Sequence, residues 1–197
     1  QIPVKIVGLA SGLALSFLGN SHFGLEDISI FRTFPNIDIF SPSDCAEIFK
    51  IIELTSKLNR PAYIRLTGGV NFPIVHEEDY QLDYGKFKNE YESGDEVHFY
   101  ATGSMVYHSI QAAKLLFESG IKSSVYNVHT IRPFDKENFV KNLKKRPKLI
   151  VTVEEHFKEG GFGSYIFEIM NDLGYNTPFF KIGLPHKYLD SGEYAYL

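Results

Sequence analysis

The sequence predicts an α/β protein made of two three-layer α/β/α units with mostly parallel sheets, the first unit incomplete. Three observations carry this reading. Short strand-like runs alternate with helical periods along the chain, the pattern of parallel strands joined through helices. One stretch, 70–94, shows neither period and separates two regions. The elements before it are too few to close a core, whereas the roughly 100 residues after it are enough.

Residues 4–9 are apolar and predict a buried strand. Residues 12–23 are apolar but interrupted by glycine, and predict a loop. A helix is expected over 25–34, ending before Pro35, then a short strand over 37–40. Residues 44–58 predict a strong helix, with Asp44 as its cap and Glu47 three residues on. A strand over 62–67 runs into Gly68 and Gly69. The stretch 70–94 carries Pro73, several tyrosines and the acids Glu77, Glu78, Asp79, Asp83, Glu90 and Glu92, and predicts a linker wrapping over a surface.

Beyond the linker the alternation is cleaner. A strand over 96–102 precedes a helix over 104–119, with Val106, Ile110, Ala113 and Phe117 on one face and Gly120 as its stop. A strand over 123–128 follows, and His129, Arg132 and Asp135 fall in the loop after it. Asp135 caps a helix running to about Lys145, with Phe139, Val140 and Leu143 inward. A strand over 148–153, a helix over 161–173 with Phe162, Ile166, Ile169 and Leu173 in register, and a strand over 179–182 complete the chain. Domain boundaries are therefore expected at 1–69, 70–94 and 95–197.

Composition narrows the function. Lys and Arg number 20 against 24 Asp and Glu, a net charge of −4, which is not the footprint of a nucleic-acid binder. The single cysteine, Cys45, makes neither an internal disulfide nor a four-cysteine zinc site, and points to a reducing, cytoplasmic compartment. Its place in a helical first turn can lower a thiol pKa, but a packing role is expected. The apolar run 6–18 is broken by glycine and serine and is shorter than the ~20 residues a bilayer span needs. A start at Gln1, directly before a strand, suggests a part further upstream.

Three separate runs resemble the transketolase family of thiamine-diphosphate enzymes. The first is Gly19-Asn20-Ser21-His22-Phe23-Gly24-Leu25-Glu26-Asp27, continuing through Arg32-Thr33-Phe34-Pro35-Asn36 to Ser41-Pro42-Ser43-Asp44. It is similar to the family's Gly-Pro-Thr-His segment and the helix, Arg-x-x-Pro-Asn and x-Pro-x-Asp runs that follow. The second joins Ala101-Thr102-Gly103-Ser104 to Val128-His129-Thr130-Ile131-Arg132-Pro133-Phe134-Asp135. The third is Val151-Thr152-Val153-Glu154-Glu155-His156 with Gly160-Gly161-Phe162-Gly163-Ser164, and Gly183-Leu184-Pro185 lies near the end. The resemblance covers the whole length but does not separate transketolase from deoxyxylulose-phosphate synthase or from 2-oxoacid dehydrogenase β subunits.

The resemblance implies that residues 1–69 are the later half of a pyrimidine-binding domain and 95–197 a transketolase C-terminal domain. It implies a transferase moving a two-carbon ketol unit between sugar phosphates or related sugars, with thiamine diphosphate as electron sink and Mg2+ beside it. The diphosphate-binding domain or subunit would be a partner, within a homodimer or heterotetramer. The cofactor-binding residues, among them the glutamate that protonates the aminopyrimidine, are expected upstream of Gln1, so this chain alone should be inactive. A non-catalytic assembly subunit is the alternative from a different class.

By resemblance His22 matches the histidine that contacts the donor sugar, and imidazole can bond a hydroxyl or relay a proton near neutral pH. Arg65, ending a strand at the edge where α/β sheets bind ligands, aligns with an arginine that serves substrate phosphate in some members; a structural salt bridge is its other reading. Ala10, Leu18 and Gly68 stand where the family commonly has a histidine, an acid and a second arginine, which weakens phosphate recognition. Glu26 and Asp27 suit a helix start. Glu154, Glu155 and His156 alternate across a strand, so no metal is expected there, and a role between domains is preferred. Gly160, Gly161 and Gly163 point to tight strand-to-helix packing. The run Lys141, Lys144, Lys145, Arg146 and Lys148 reads as a solvated helix end.

Overall fold

The computed structural model describes residues 2–67 and 73–197. Two sheets, each flanked by helices, form an α/β structure. The first holds β1 (Lys5–Leu9), β2 (Asp38–Phe40) and β3 (Ala62–Leu66) in the order β1-β3-β2, all parallel, with α1 (Asp27–Thr33) and α2 (Cys45–Lys57) between them in sequence. The second contains β4 (Lys88–Glu92), β5 (Val97–Ala101), β6 (Ser123–Asn127), β8 (Leu149–Phe157) and β9 (Phe179–Leu184), in the order β4-β6-β5-β8-β9. Its helices are α3 (Met105–Glu118), α4 (Lys136–Lys144) and α5 (Phe162–Asp172). Between β6 and α4, β7 (Thr130–Arg132) leaves the second unit and pairs antiparallel with β2, so the second half of the chain supplies a strand to the first sheet.

Caps behave as their chemistry requires. Asp44 accepts the Glu47 backbone N–H at 2.9 Å, and Asp135 accepts that of Asn138 at 3.2 Å. The Glu47 carboxylate turns back to Ser43 N rather than to the cap residue, at 2.7 Å.

Several expectations need correcting. Residues 4–9 form a strand that is not buried among the described residues: β1 pairs with β3 alone, and Leu9 is 75 % exposed. β4 lies within 70–94. It is a polar antiparallel edge strand with a register shift between Asn89 and Tyr91, held by its backbone and carrying no apolar face to betray it. The loop after β6 contains β7, three residues being too few to show a period. β8 runs four residues past its expected end, across a register shift between Val153 and Phe157. Phe117 faces outward at the end of α3 while Leu116 packs on the core. Cys45 is exposed, not packed. Gly68 and Gly69 lie outside the described residues. No helix among the described residues is long and apolar enough to cross a membrane.

The main core joins the units. Ile28, Ile39 and Tyr63 of the first share one cluster with Tyr100, Phe139, Phe162 and Ile166 of the second. Burial across this seam, together with the β2–β7 pairing, fixes the two sheets against each other.

Candidate functional site

The candidate site is the glycine-rich loop after β1. Ala10 and Gly12 have left-handed backbone (φ 55° and 74°), which turns the chain back at once. Gly12 and Gly24 exchange both backbone hydrogen bonds, at 2.8 and 3.1 Å, and close the neck of the loop. A short 3-10 turn over Ser16–Ser21 carries the chain to His22. The His22 side chain is exposed, and its Nδ1 lies 2.9 Å from Ser21 Oγ. Leu18, on the same turn, is 43 % exposed.

Beneath the neck lies a buried charged hub. Arg65 is 1 % exposed. Its Nε donates to Asp27 Oδ2 at 2.8 Å, and its Nη2 to the carbonyls of Gly24 (3.1 Å) and Glu155 (2.8 Å). Asp27 also accepts from Tyr63 Oη at 2.7 Å. Burial opposes the Asp27 carboxylate, yet Arg65 and Tyr63 hold its pKa below the usual value. Asp27 therefore points into the sheet rather than capping α1, and the Glu26 side chain makes no cap bond either. The guanidinium is bound from both units, one carbonyl coming from the His22 loop and one from β8.

The run Glu154-Glu155-His156 sits at the seam. Glu155 accepts Leu13 N at 2.5 Å, Ser104 Oγ at 2.7 Å and Tyr194 Oη at 2.6 Å, tying the His22 loop, the start of α3 and the C-terminal tail to one carboxylate. Glu154 points the other way and accepts Phe162 N (2.6 Å) and Gly163 N (2.7 Å), capping α5. Burial pushes its carboxyl up to about 7, against the pull of those two N–H groups. A Cβ at Gly161 would strike Glu154 and His156, and one at Gly163 would strike Thr152 and Glu154. These glycines serve close packing. Of the basic run, Lys141, Lys145 and Lys148 pair with Glu137, Asp95 and Glu96 at 2.6–2.9 Å, as a solvated helix end should.

A second polar cluster was not expected from the sequence. His76 is buried, with Nδ1 3.0 Å from Asp44 and Nε2 3.0 Å from Glu90. Beside it the buried Glu47 accepts from Ser43, from Tyr80 Oη (2.9 Å) and from Asn127 Nδ2 (2.9 Å). Burial disfavours the imidazolium, but the bonds to Asp44 and Glu90 outweigh it and raise His76 to about 9. The Asp44-x-x-Glu47 spacing is visible in the sequence, whereas His76 and Glu90 lie in a stretch with no period.

Among the described residues, no group of three or more His, Cys, Asp or Glu is placed to hold a metal ion. The fold and this seam define an α/β chain whose first sheet takes a strand, β7, from its second unit. The family model "Transketolase, pyrimidine binding domain" matches residues 1–69, and "Transketolase, C-terminal domain" matches residues 85–197. The chain belongs to the transketolase family.

Among its relatives, a subunit of apulose-4-phosphate transketolase from Phocaeicola vulgatus is 34% identical over 194 residues, covering 98% of this chain and 61% of that protein. 1-deoxy-D-xylulose-5-phosphate synthase of Caldanaerobacter subterraneus is 34% identical over 177 residues, covering 89% of this chain and 28% of that protein. The chain thus spans under two thirds of the length of these curated relatives. A solved structure described as a split gene transketolase, inactive beta4 tetramer, superimposes with a TM-score of 0.80 at 32% identity, covering 91% of this chain and 57% of that one.

Proposed function

We propose that this chain is the pyrimidine-binding and C-terminal portion, divided at 1–69, 70–94 and 95–197, of a thiamine-diphosphate-dependent transferase. Its reaction is transfer of a two-carbon ketol unit between sugar phosphates or related sugars. The observation that carries this reading is His22: an exposed imidazole on a loop whose neck is fixed by the Gly12–Gly24 bridge and by Arg65. A preorganised loop with a solvent-facing imidazole suits contact with a donor hydroxyl. The name of the apulose-4-phosphate transketolase relative supports a sugar phosphate as substrate.

The described residues do not by themselves fit thiamine diphosphate with Mg2+. No acid or histidine cluster among them stands ready for a metal, and the Arg65 guanidinium is engaged by Asp27 and two carbonyls. In this reading the cofactor is held with a diphosphate-binding domain or subunit of the same enzyme, in a homodimer or heterotetramer. In this reading Arg65 does not touch substrate; it orients the His22 loop and the seam. The cytoplasm, a reducing compartment, suits the exposed thiol of Cys45.

The deoxyxylulose-phosphate synthase relatives support a second reading, synthesis of 1-deoxy-D-xylulose 5-phosphate. Calorimetry with thiamine diphosphate and Mg2+, on this chain alone and on its native assembly with a diphosphate-binding subunit, tests both. Binding only in the assembly, followed by ketol transfer between sugar phosphates, is the expected result. Formation of 1-deoxy-D-xylulose 5-phosphate selects the second reading. No binding in either sample leaves an assembly subunit without catalysis.

A further inference from the structure

The 3-10 turn that carries His22 has little packing of its own. Only Ser16 and Gly19 of that turn are buried, and Phe17 is 67 % exposed. What lies against it is the C-terminal tail, after β9. Asn20 Nδ2 donates to the Leu189 carbonyl at 2.5 Å, and Asn20 Oδ1 accepts the Leu189 N–H at 2.9 Å. One side-chain amide thus pairs with both main-chain groups of one residue, as a strand neighbour would, and such a two-point bond fixes orientation as well as distance.

Two further ties extend the contact. Gly192 N donates to Ser16 O at 3.2 Å, and Tyr194 Oη reaches the Glu155 carboxylate that also holds Leu13 N. Leu189, Tyr194 and Leu197 pack on the small cluster of Leu13, Leu25 and Phe157 under the loop. Gly19, with φ 71°, faces Ser191, where a side chain on residue 19 would crowd the tail.

We propose that the tail, residues 185–197, is a strap that sets the position of the His22 loop, and that Asn20 is the positioning residue that fastens it. This rests on the reading of His22 as the donor contact for the part that concerns turnover; the mechanical part stands on the contacts alone. Residues 185–197 reach the loop from the far unit, so the approach of His22 to a donor depends on how they are seated. Asn20 is exposed, so its replacement does not disturb the core.

The test uses the full chain, and its native assembly for turnover. In Asn20→Ala, amide exchange at 16–22 should accelerate about tenfold, the loss of two modest hydrogen bonds, while exchange in β8 and α5 stays unchanged. The His22 imidazole NMR chemical shifts should move. Asn20→Asp keeps the acceptor for Leu189 N–H and should restore part of the protection. In the assembly, the donor KM should rise about tenfold with kcat changed little. Unchanged exchange at 16–22 overturns the strap. Faster exchange with unmoved His22 imidazole shifts and unmoved KM overturns Asn20 as a positioning residue. If the wild-type assembly turns over no donor, the proposed function fails, and exchange with the His22 imidazole shifts still decides the strap.

Discussion

Arg65 on β3 donates to the main-chain carbonyl of Glu155 on β8, 2.8 Å away and 90 positions later in the chain. The same guanidinium binds Asp27 and the Gly24 carbonyl. One cation therefore holds α1, the neck of the His22 loop and the second sheet together. Removing it leaves a buried carboxylate without its counter-charge. Arg65→Met should destabilise the chain by about 3 to 5 kcal/mol, and adding Asp27→Asn should recover part of the loss. Denaturant titration of the two variants measures this. Arg65→Lys should rescue little, because an ammonium cannot reproduce the planar fork.

His22 should behave in the opposite way. Its side chain is exposed, so His22→Ala should change stability by no more than about 0.5 kcal/mol. In the native assembly the same variant should lower kcat/KM for a sugar-phosphate donor about 10- to 100-fold. A full-rate variant would remove His22 from the site.

Gly161→Ala and Gly163→Ala each place a methyl against the Glu154 carboxylate that caps α5. Each should cost about 1 to 3 kcal/mol by overpacking. Thermal melting should show a lower Tm for both. By contrast Gly174→Ala meets no atom within 4 Å, so only its left-handed φ of 75° opposes it, and it should cost less than either.

The His76 cluster predicts an alkaline weakness. His76 is faced by Asp44, the cap of α2, by Glu47 from α2, by Glu90 from β4, by Tyr80 of its own segment and by His129 beyond β6. Its folded pKa, about 9, lies above the ordinary 6.5. Folding therefore favours the proton. The stabilisation is complete below about pH 6.5 and is lost as pH rises through about 9. Urea midpoints should fall between pH 7 and 10, and His76→Gln should flatten that fall. Asp44 acts at the other end. Burial opposes its charge, but bonds from His76 and from backbone N–H groups hold it near 2, so its contribution is lost as pH falls through about 2.

Cys45 offers a direct check on the surface. Exposed on α2, it should react with one equivalent of a thiol reagent in the native state, without denaturant. A thiol that reacts only after unfolding would contradict the exposed position.

The α/β alternation, the helix caps Asp44 and Asp135, the glycine packing beside α5 and the family membership of the chain are all legible in the order of its residues. These are local or short-range properties. A cap needs only a side chain and the N–H three residues on, and a buried parallel strand announces itself by a run of apolar residues. The rest emerged only when the chain was folded. β1 has the apolar composition of a central strand, yet among the described residues it pairs with β3 alone, and pairing partners are not written in one strand's own residues. β4 and β7 carry no period, since their stability comes from backbone pairing with β6 and β2 rather than from an apolar face. The Arg65–Glu155 tie, the Asp44–His76 pair and the Asn20–Leu189 clasp join residues 90, 32 and 169 positions apart. Polar contacts of that kind have no periodicity, and they form only once apolar burial has brought the two sheets into register.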